Sequence, residues 1–331
     1  MINQIKKILL YLFTLILTSN CVEHKITITV EPGGSYNYHH YSTGDKKDIL
    51  DLDFPLSNDK NWTIENNFEE KTDNYYYKFE KYFNSTSDFP NSFYKGDSIK
   101  SEVLLTHKVQ VDYSNKFINE YYNFSIIFKG RNASLKYPLL MDFVIDQENP
   151  PQNWVHDGLS YIFNQALLEA DFGFNIENIQ IHAVSEWLEK VKQDYNNDSL
   201  QENFELVKIQ GINIVESHLI DNSIDSFVES ITKFEQEARI TIDLSDDIFE
   251  LIAVIPGFLQ ETNADSIFND TLLWRFSGID LVDNNYELFA KTTIRHKSRY
   301  HWTISAIMLL ATFFTIYIIA RKVPDPSKFS K

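Results

Sequence analysis

The sequence predicts an α+β fold: an antiparallel, β-rich domain with a central helical section, followed by one C-terminal transmembrane helix. Two observations predict the mixed fold, because apolar residues alternate with polar ones near both ends of the chain and recur at helical spacing between them. A third predicts the anchor, because residues 302–320 carry no charge and are enough to cross a bilayer as a helix. Strands, then helices, then strands indicate one domain whose first and last strands share a sheet.

Strand patterns fill the first part of the chain, over about residues 25–145. Ile26, Ile28 and Val30 alternate with threonines, which is typical of a half-buried strand, and a Pro-Gly-Gly-Ser turn follows at 32–35. Further predicted strands cover 74–81, 102–113 and 121–129.

Helical spacing begins after Pro150-Pro151, where Val155 and Leu159 start an apolar face. Two more helices are predicted over about 184–195 and 223–238, and strand patterns return at 248–255, 271–276 and 286–294. We expect the helices to cover a single sheet, because that arrangement buries every apolar face, and Trp274 to lie in its core.

The N-terminus has the three parts of an export signal. Lys6 and Lys7 precede an apolar run from Ile8 to about Thr18, which small and polar residues follow. The run is too short to span a bilayer comfortably. Residues 1–21 are therefore predicted to direct the chain across a membrane.

Cys21 admits two interpretations. It stands where a lipoprotein cysteine would be acylated, although Leu17 is four residues before it and Asn20 takes a position that usually holds Gly or Ala. Alternatively, Ser19 and Cys21 are the small residues of an ordinary cleavage site, and Cys21 is removed. Because the chain has one cysteine, an intramolecular disulfide is excluded.

The C-terminal transmembrane helix is predicted at 301–320. Its uncharged part rises roughly 28 Å at about 1.5 Å per residue, close to the hydrocarbon thickness of a bilayer. Tyr300 and Trp302 mark one membrane interface, and Arg321 and Lys322 mark the other.

Basic residues lie on both sides of this helix, so the export signal decides the orientation. Residues 22–300 are predicted to form the extracytoplasmic domain, and residues 321–331 to form a cytoplasmic tail. The formal charge of −17 excludes nucleic acid as a partner, because a polyanion repels such a surface.

Catalytic motifs are missing from the sequence. It contains no HExxH, CxxC, GxSxG, P-loop or GxGxxG pattern, so no catalytic residue, cofactor or metal site is predicted. His39 and His40 are adjacent on a predicted strand, point to opposite faces and are expected at the surface. His156 is expected to be a hydrogen-bonded polar position, and Asp246-Asp247 to form a turn rather than a catalytic pair.

Two segments of the sequence carry a family resemblance, KITITVEPGGS at 25–35 and IPGFLQETNADSIFNDTLLWRFSG at 255–278. In the second segment a Pro-Gly ends a strand, an Asn follows in a turn, and a Trp-containing strand comes next. The two segments resemble LppM-like bacterial envelope proteins, the first of them being similar to the first hairpin of that family. The resemblance implies an exported leader or lipoprotein signal, one extracytoplasmic domain and a C-terminal membrane helix. It implies no catalytic residues.

These observations predict a single-pass, membrane-anchored extracytoplasmic protein of the cell envelope that binds a lipid-like ligand or an envelope protein and is not an enzyme. One alternative is a hydrolase that attacks envelope or extracellular polymers through carboxylates, and another is a purely structural lipoprotein. A deep apolar cavity would favour binding, whereas a polar cleft with facing carboxylates would favour catalysis.

Overall fold

The computed structural model describes residues 22–50, 61–69, 74–84, 107–170, 178–217 and 224–322. The predicted export signal with Cys21, the predicted tail beyond Lys322 and the first residues of the predicted strand at 102–113 lie outside the described residues.

The strands fall before and after a helical section, as the sequence predicts. They are β1 Glu23–Val30, β2 Tyr36–Gly44, β3 Thr63–Glu69, β4 Asn74–Phe83, β5 His107–Lys116, β6 Asn119–Phe128, β7 Ile248–Val254, β8 Phe258–Thr262, β9 Ser266–Phe268, β10 Thr271–Ser277 and β11 Tyr286–Arg295.

The helices lie mainly between β6 and β7. They are α1 Lys46–Ile49, α2 Ala133–Lys136, α3 Pro138–Ile145, α4 Trp154–Glu169, α5 Asn178–Asp194, α6 Asn197–Glu202, α7 Phe204–Glu216, α8 Ile224–Asp243, α9 Ile279–Val282 and α10 Lys297–Lys322, with a 3-10 turn at Leu244–Asp246.

The first strand and the late strands share a sheet, which confirms that prediction. Within the described residues, the larger sheet has the order β3-β4-β2-β1-β7-β10-β9, and β1 pairs in parallel with β7, Ile26 beside Leu251. The smaller sheet has the order β5-β6-β11-β8. Among the described strands, all pairs except β1–β7 are antiparallel.

The two sheets cover each other, so the predicted single sheet under helices is wrong. The ring of Phe124 on β6 lies 6.1 Å from that of Trp274 on β10, and Phe128 lies 5.2 Å from Phe276. Trp274 is 1% exposed, as predicted for a core residue. Large aromatic side chains fill the space between the sheets, and burial there needs no helix.

The helices bury their apolar faces against one another in a second core. Phe163 on α4 packs on Trp187 of α5 and on Phe227 of α8, with ring centroids 4.7 and 6.0 Å apart. Arg131, just after β6, joins this helical unit to the sheets, because its Nε donates to Thr241 Oγ1 of α8 at 2.8 Å. The helical section is therefore a distinct layer.

The sheets have two distinct ends. The turns β1–β2, β5–β6, β7–β8 and β9–β10 share one end, which we call the turn end, and β6 and β7 join the helices at the other, the helical end. Gly33 of the β1–β2 turn donates to the hydroxyl of Tyr122 near the start of β6 at 3.3 Å, which ties the two sheets together there. Arg295 pairs with Asn119, so α10 leaves from the turn end.

α10 contains the segment Lys297–Ile319, which is long and apolar enough to cross a membrane by length and composition. Its mean hydropathy is 2.0, and 0% of its most apolar part is buried against the protein. The helix begins four residues before the predicted 301–320, because β11 passes into it through His296 alone.

Candidate functional site

The predicted membrane residues lie near the ends of α10. Tyr300 is half-buried under the guanidinium of Arg295, which lies 4.4 Å from its ring centroid, and Trp302 is 76% exposed. Arg321 is exposed in the last turn, and Lys322 is the last residue of the helix. The two pairs are therefore separated by the apolar length of the helix.

An apolar cavity of about 150 Å³ opens in the helical unit. Apolar side chains from several helices form most of its wall: Leu140 of α3, Trp154, Val155, Leu159 and Ile162 of α4, Phe204 of α7, and Ala238 and Ile242 of α8. Gly158 also faces it, and an added Cβ there would meet Leu140 Cδ2 at an ordinary 3.5 Å. The cavity therefore has space for a side chain at position 158.

Charged groups form one side of the cavity. Glu235 accepts from Lys208 Nζ at 2.7 Å and from Arg239 Nη2 at 2.8 Å, and the Arg239 guanidinium lies 5.7 Å from the Phe204 ring centroid. Burial disfavours the Lys208 ammonium, but hydrogen bonds to Glu205 and Glu235 more than offset this and raise its pKa. The rim is thus a paired cluster with Arg239 more than half exposed.

A buried polar cluster joins β1, β2 and the residue before β7. His24 Nδ1 lies 2.9 Å from Ser42 Oγ, and His24 Nε2 lies 3.2 Å from Asp247 Oδ2. His40 Nε2 lies 2.9 Å from the same Ser42 hydroxyl, and His40 Nδ1 lies 3.3 Å from Tyr38 OH.

Ser42, His24 and Asp247 have the connectivity of a hydrolytic triad, in which a histidine links a serine to a carboxylate. Their exposed fractions are 0%, 3% and 2%. A carbonyl group cannot approach a hydroxyl that is sealed in this way, so the arrangement satisfies buried polar groups and positions no nucleophile.

The histidine expectations need two corrections. His40 is buried rather than at the surface, because it faces the inside of β2 beside His24. His39 is half-buried on the opposite face. Its pKa is lowered, mainly by burial and to a smaller extent by the positive charge of Lys78. His156 is buried, and no group in the described part of the chain lies within full hydrogen-bond distance of its ring nitrogens. Burial lowers its pKa, and the nearby backbone of Val191 and Tyr195 and the side chain of Asn197 oppose this only in part.

The carboxylates do not form a catalytic cleft at the cavity. Asp246 ends the 3-10 turn and Asp247 follows it, which fits the predicted turn. The pKa of Asp246 is raised, mainly by burial and to a smaller extent by the negative charge of Asp48. Burial also raises the pKa of Asp48. None of these three residues lines the cavity, and no group of three or more His, Cys, Asp and Glu in the described part of the chain could hold a metal ion.

Sequence reasoning missed both the cavity and the polar cluster. The cluster had a signal, because the inward face of β1 runs from Ile28 and Ile26 to His24, and that of β2 from Tyr38 to His40 and Ser42. The sequence contains no signal for the cavity, because the cavity wall comes from several helices, and the spacing of apolar residues does not predict how helices are placed relative to one another.

Comparisons with known proteins place the chain in no family. No family model matches it. It is 22% identical over 200 residues to conserved oligomeric Golgi complex subunit 6 of Eremothecium gossypii, a match that covers 57% of this chain and spans 24% of that protein. The NMR structure of the folded domain of Mycobacterium tuberculosis LppM covers 85% of this chain and 94% of that domain, at 9% identity and a TM-score of 0.32. This is a weak structural resemblance to the family noted in the sequence, and it shows neither a shared family nor a shared activity.

Proposed function

We propose that this chain is a single-pass, membrane-anchored protein whose domain lies outside the cytoplasm and binds a ligand without catalysing its reaction. The apolar cavity of the helical unit carries the proposal. Cavities of about this size, lined by aliphatic and aromatic side chains, hold a benzene-sized apolar group. The groups with catalytic connectivity, in contrast, are sealed between the sheets.

The chemistry of the cavity favours a lipid-like ligand over a polar one. Its wall offers apolar contact to a short hydrocarbon segment, and Arg239 offers a charge to an anionic head at the mouth. An apolar side chain of an envelope protein would satisfy the same wall. The hydrolase alternative finds less support, because none of the three carboxylates whose pKa burial raises, Asp48, Asp157 and Asp246, lines the cavity. Asp157 precedes Gly158 but accepts from the backbone N–H groups of Leu139 and Leu140.

Protease protection tests the anchoring and its orientation. One epitope is inserted at the exposed Glu148 and another after Lys331, and protease is added to intact cells. We expect loss of the first epitope and survival of the second. Protection of the first epitope would reverse the orientation and remove the extracytoplasmic assignment.

Ligand binding is tested with hexanoate and hexanol on the full chain in nanodiscs. A ligand that binds the folded state and not the unfolded state raises the Tm by an amount that grows with the ligand concentration relative to its Kd, so both compounds should raise it. Gly158→Leu should abolish both responses by filling the cavity, and Arg239→Gln should weaken the response to hexanoate alone.

Leu168→Ala is the matched control, because Leu168 is an exposed residue of the same helix that does not line the cavity. Its responses should equal those of the parent chain. Equal responses from Gly158→Leu and from the parent would reject the cavity as the binding site.

A further inference from the structure

The turn end carries exposed aromatic side chains close to the helix that would enter the membrane. Phe117 in the β5–β6 turn is 67% exposed, Phe258 at the start of β8 is 76% exposed, and Phe268 at the end of β9 is 77% exposed. Exposed aromatic side chains that gather on one surface mark a site of contact with a partner or a membrane. We infer that the turn end lies against the bilayer that α10 enters, with these phenylalanines in contact with its interface; this inference rests on the proposed anchoring.

The first turn of α10 is fixed to the β5–β6 turn. His296 donates its backbone N–H to Ile118 O at 2.9 Å, and its Nε2 lies 2.7 Å from Glu120 Oε1. Arg299 Nη1 donates to the carbonyl oxygen of Phe117 at 3.4 Å. Because only His296 separates β11 from α10, these contacts hold the β5–β6 hairpin beside the first turn of α10.

The same contacts place Phe117 near the predicted membrane interface. Its carbonyl is bonded to Arg299, which precedes the interfacial Trp302 by three positions, about 4.5 Å along a helix axis. Phe258 pairs with Thr293 on β11, and Phe268 is joined to the same end through Thr271, which pairs with Val254. The three phenylalanines therefore lie at the end from which the helix leaves.

Charge supports a phospholipid surface as the occupant. Lys116 and Arg295 both pair with Asn119, and Lys297 and Arg299 lie in the first turn of α10, in a chain whose net charge is −17. Among the described residues, the acidic groups at this end are Glu120, which His296 engages, and the exposed Glu31 and Asp270 in other turns. Basic side chains beside an inserted aromatic residue are attracted to anionic lipid headgroups.

The consequence is an orientation of the whole domain. The helical unit and its cavity lie at the opposite end of the sheets from the bilayer. A strand of eight residues spans roughly 26 Å, so the cavity faces the space beyond the membrane rather than the lipid surface.

Labelled cysteines test this in full-length protein reconstituted into vesicles that contain phosphatidylglycerol and doxyl-labelled lipid. In a Cys21→Ser background, an environment-sensitive fluorophore is attached at Phe117→Cys, at Leu310→Cys within α10, or at Leu135→Cys. Leu135 is the matched control, an apolar residue 86% exposed at the helical end.

We expect strong quenching at positions 310 and 117 and none at 135. Quenching at 310 with an aqueous label at 117 would overturn the inference and leave the anchor intact. An unquenched label at 310 would overturn the anchor, and the inference with it. Equal quenching at 117 and 135 would show a domain lying on its side and would also reject the inference.

Discussion

The indole Nε1 of Trp274 donates a hydrogen bond to Oδ1 of Asn263 at 3.0 Å, and the same oxygen accepts from the backbone N–H of Phe289 at 2.9 Å. Trp274 belongs to β10 of the larger sheet and Phe289 to β11 of the smaller one. A single amide between β8 and β9 therefore connects the two sheets at the point where their aromatic side chains meet.

Truncation of Trp274 should be among the most damaging single changes. Trp274→Ala removes a ring that is 1% exposed and should lower the free energy of unfolding by about 3–5 kcal/mol. Denaturant titration followed by near-UV circular dichroism measures it. The exposed Leu168→Ala should stay within about 0.5 kcal/mol of the parent, and a similar loss in both variants would contradict a core role for Trp274.

Two buried helix glycines should respond to alanine with opposite signs. Gly158→Ala should raise the free energy of unfolding by about 0.5–1 kcal/mol, because its Cβ enters the cavity without a clash and helix propensity improves. Gly211→Ala places a Cβ 2.5 Å from Phe163 Cε1 and Trp187 Cη2, and such overpacking costs about 1–3 kcal/mol.

Thermal unfolding of both variants against the parent checks the pair. Each replacement is the same chemical change in a helix interior, so propensity cancels from the comparison. Stabilisation by both would mean that the aromatic rings beside Gly211 have room to move.

The alternation of apolar and polar residues located most of the strands but not β3, β8 and β9, and the need to bury the apolar faces of the first and last strands predicted the shared sheet of β1 and β7. The alternation did not reveal what covers the apolar face of each strand, because the sequence pattern is the same whether a helix or a second sheet packs on that face. The helix α7 escaped prediction because Ile209, Ile212 and Ile214 blur its apolar face. The membrane helix needed no partner to be recognised, since its length and lack of charge suffice.

The buried Ser42 should be structural and unreactive. A fluorophosphonate, which labels activated serine hydroxyls, should leave the native protein unlabelled, because Ser42 is 0% exposed. Ser42→Ala should lower the free energy of unfolding by about 1–3 kcal/mol, since it removes a hydroxyl within reach of both His24 and His40. Labelling that Ser42→Ala abolishes would contradict a purely structural role for Ser42 and indicate a serine nucleophile.

Acid should weaken the attachment of α10 to the smaller sheet. The pKa of Glu120 lies below its ordinary value of 4.5, mainly because its carboxylate accepts a hydrogen bond from His296. Burial opposes this effect, and the hydrogen bond from Tyr122 adds to it. A depressed carboxyl pKa stabilises the folded state above the unfolded pKa, and this contribution disappears as the pH falls through the folded pKa.

Glu120→Gln should therefore be less stable than the parent at about pH 6, and the difference should shrink below about pH 4.5. Unfolding of the full chain in nanodiscs as a function of pH measures it. Glu287→Gln changes an exposed carboxylate of β11 and is the control. A difference between parent and Glu120→Gln that stays constant down to about pH 3 would show that the charge of Glu120 is not what stabilises the contact.

The position of Val22 predicts the fate of Cys21. Val22 is 2% exposed, and its carbonyl accepts from the backbone N–H of Ile248 at 3.0 Å, at the helical end of the sheets. An acyl chain on the preceding residue would have to enter the membrane from the end of β1 opposite to α10, roughly 26 Å away. Since no linker separates Cys21 from β1, a domain whose turn end lies against the bilayer leaves such a lipid in water, where its burial energy is lost.

We therefore expect cleavage after Cys21, with an unmodified Val22 as the first residue in mass spectrometry of the mature protein, and Cys21→Ser should not change membrane association. Recovery of an acylated Cys21 would instead require a domain that lies flat on the bilayer.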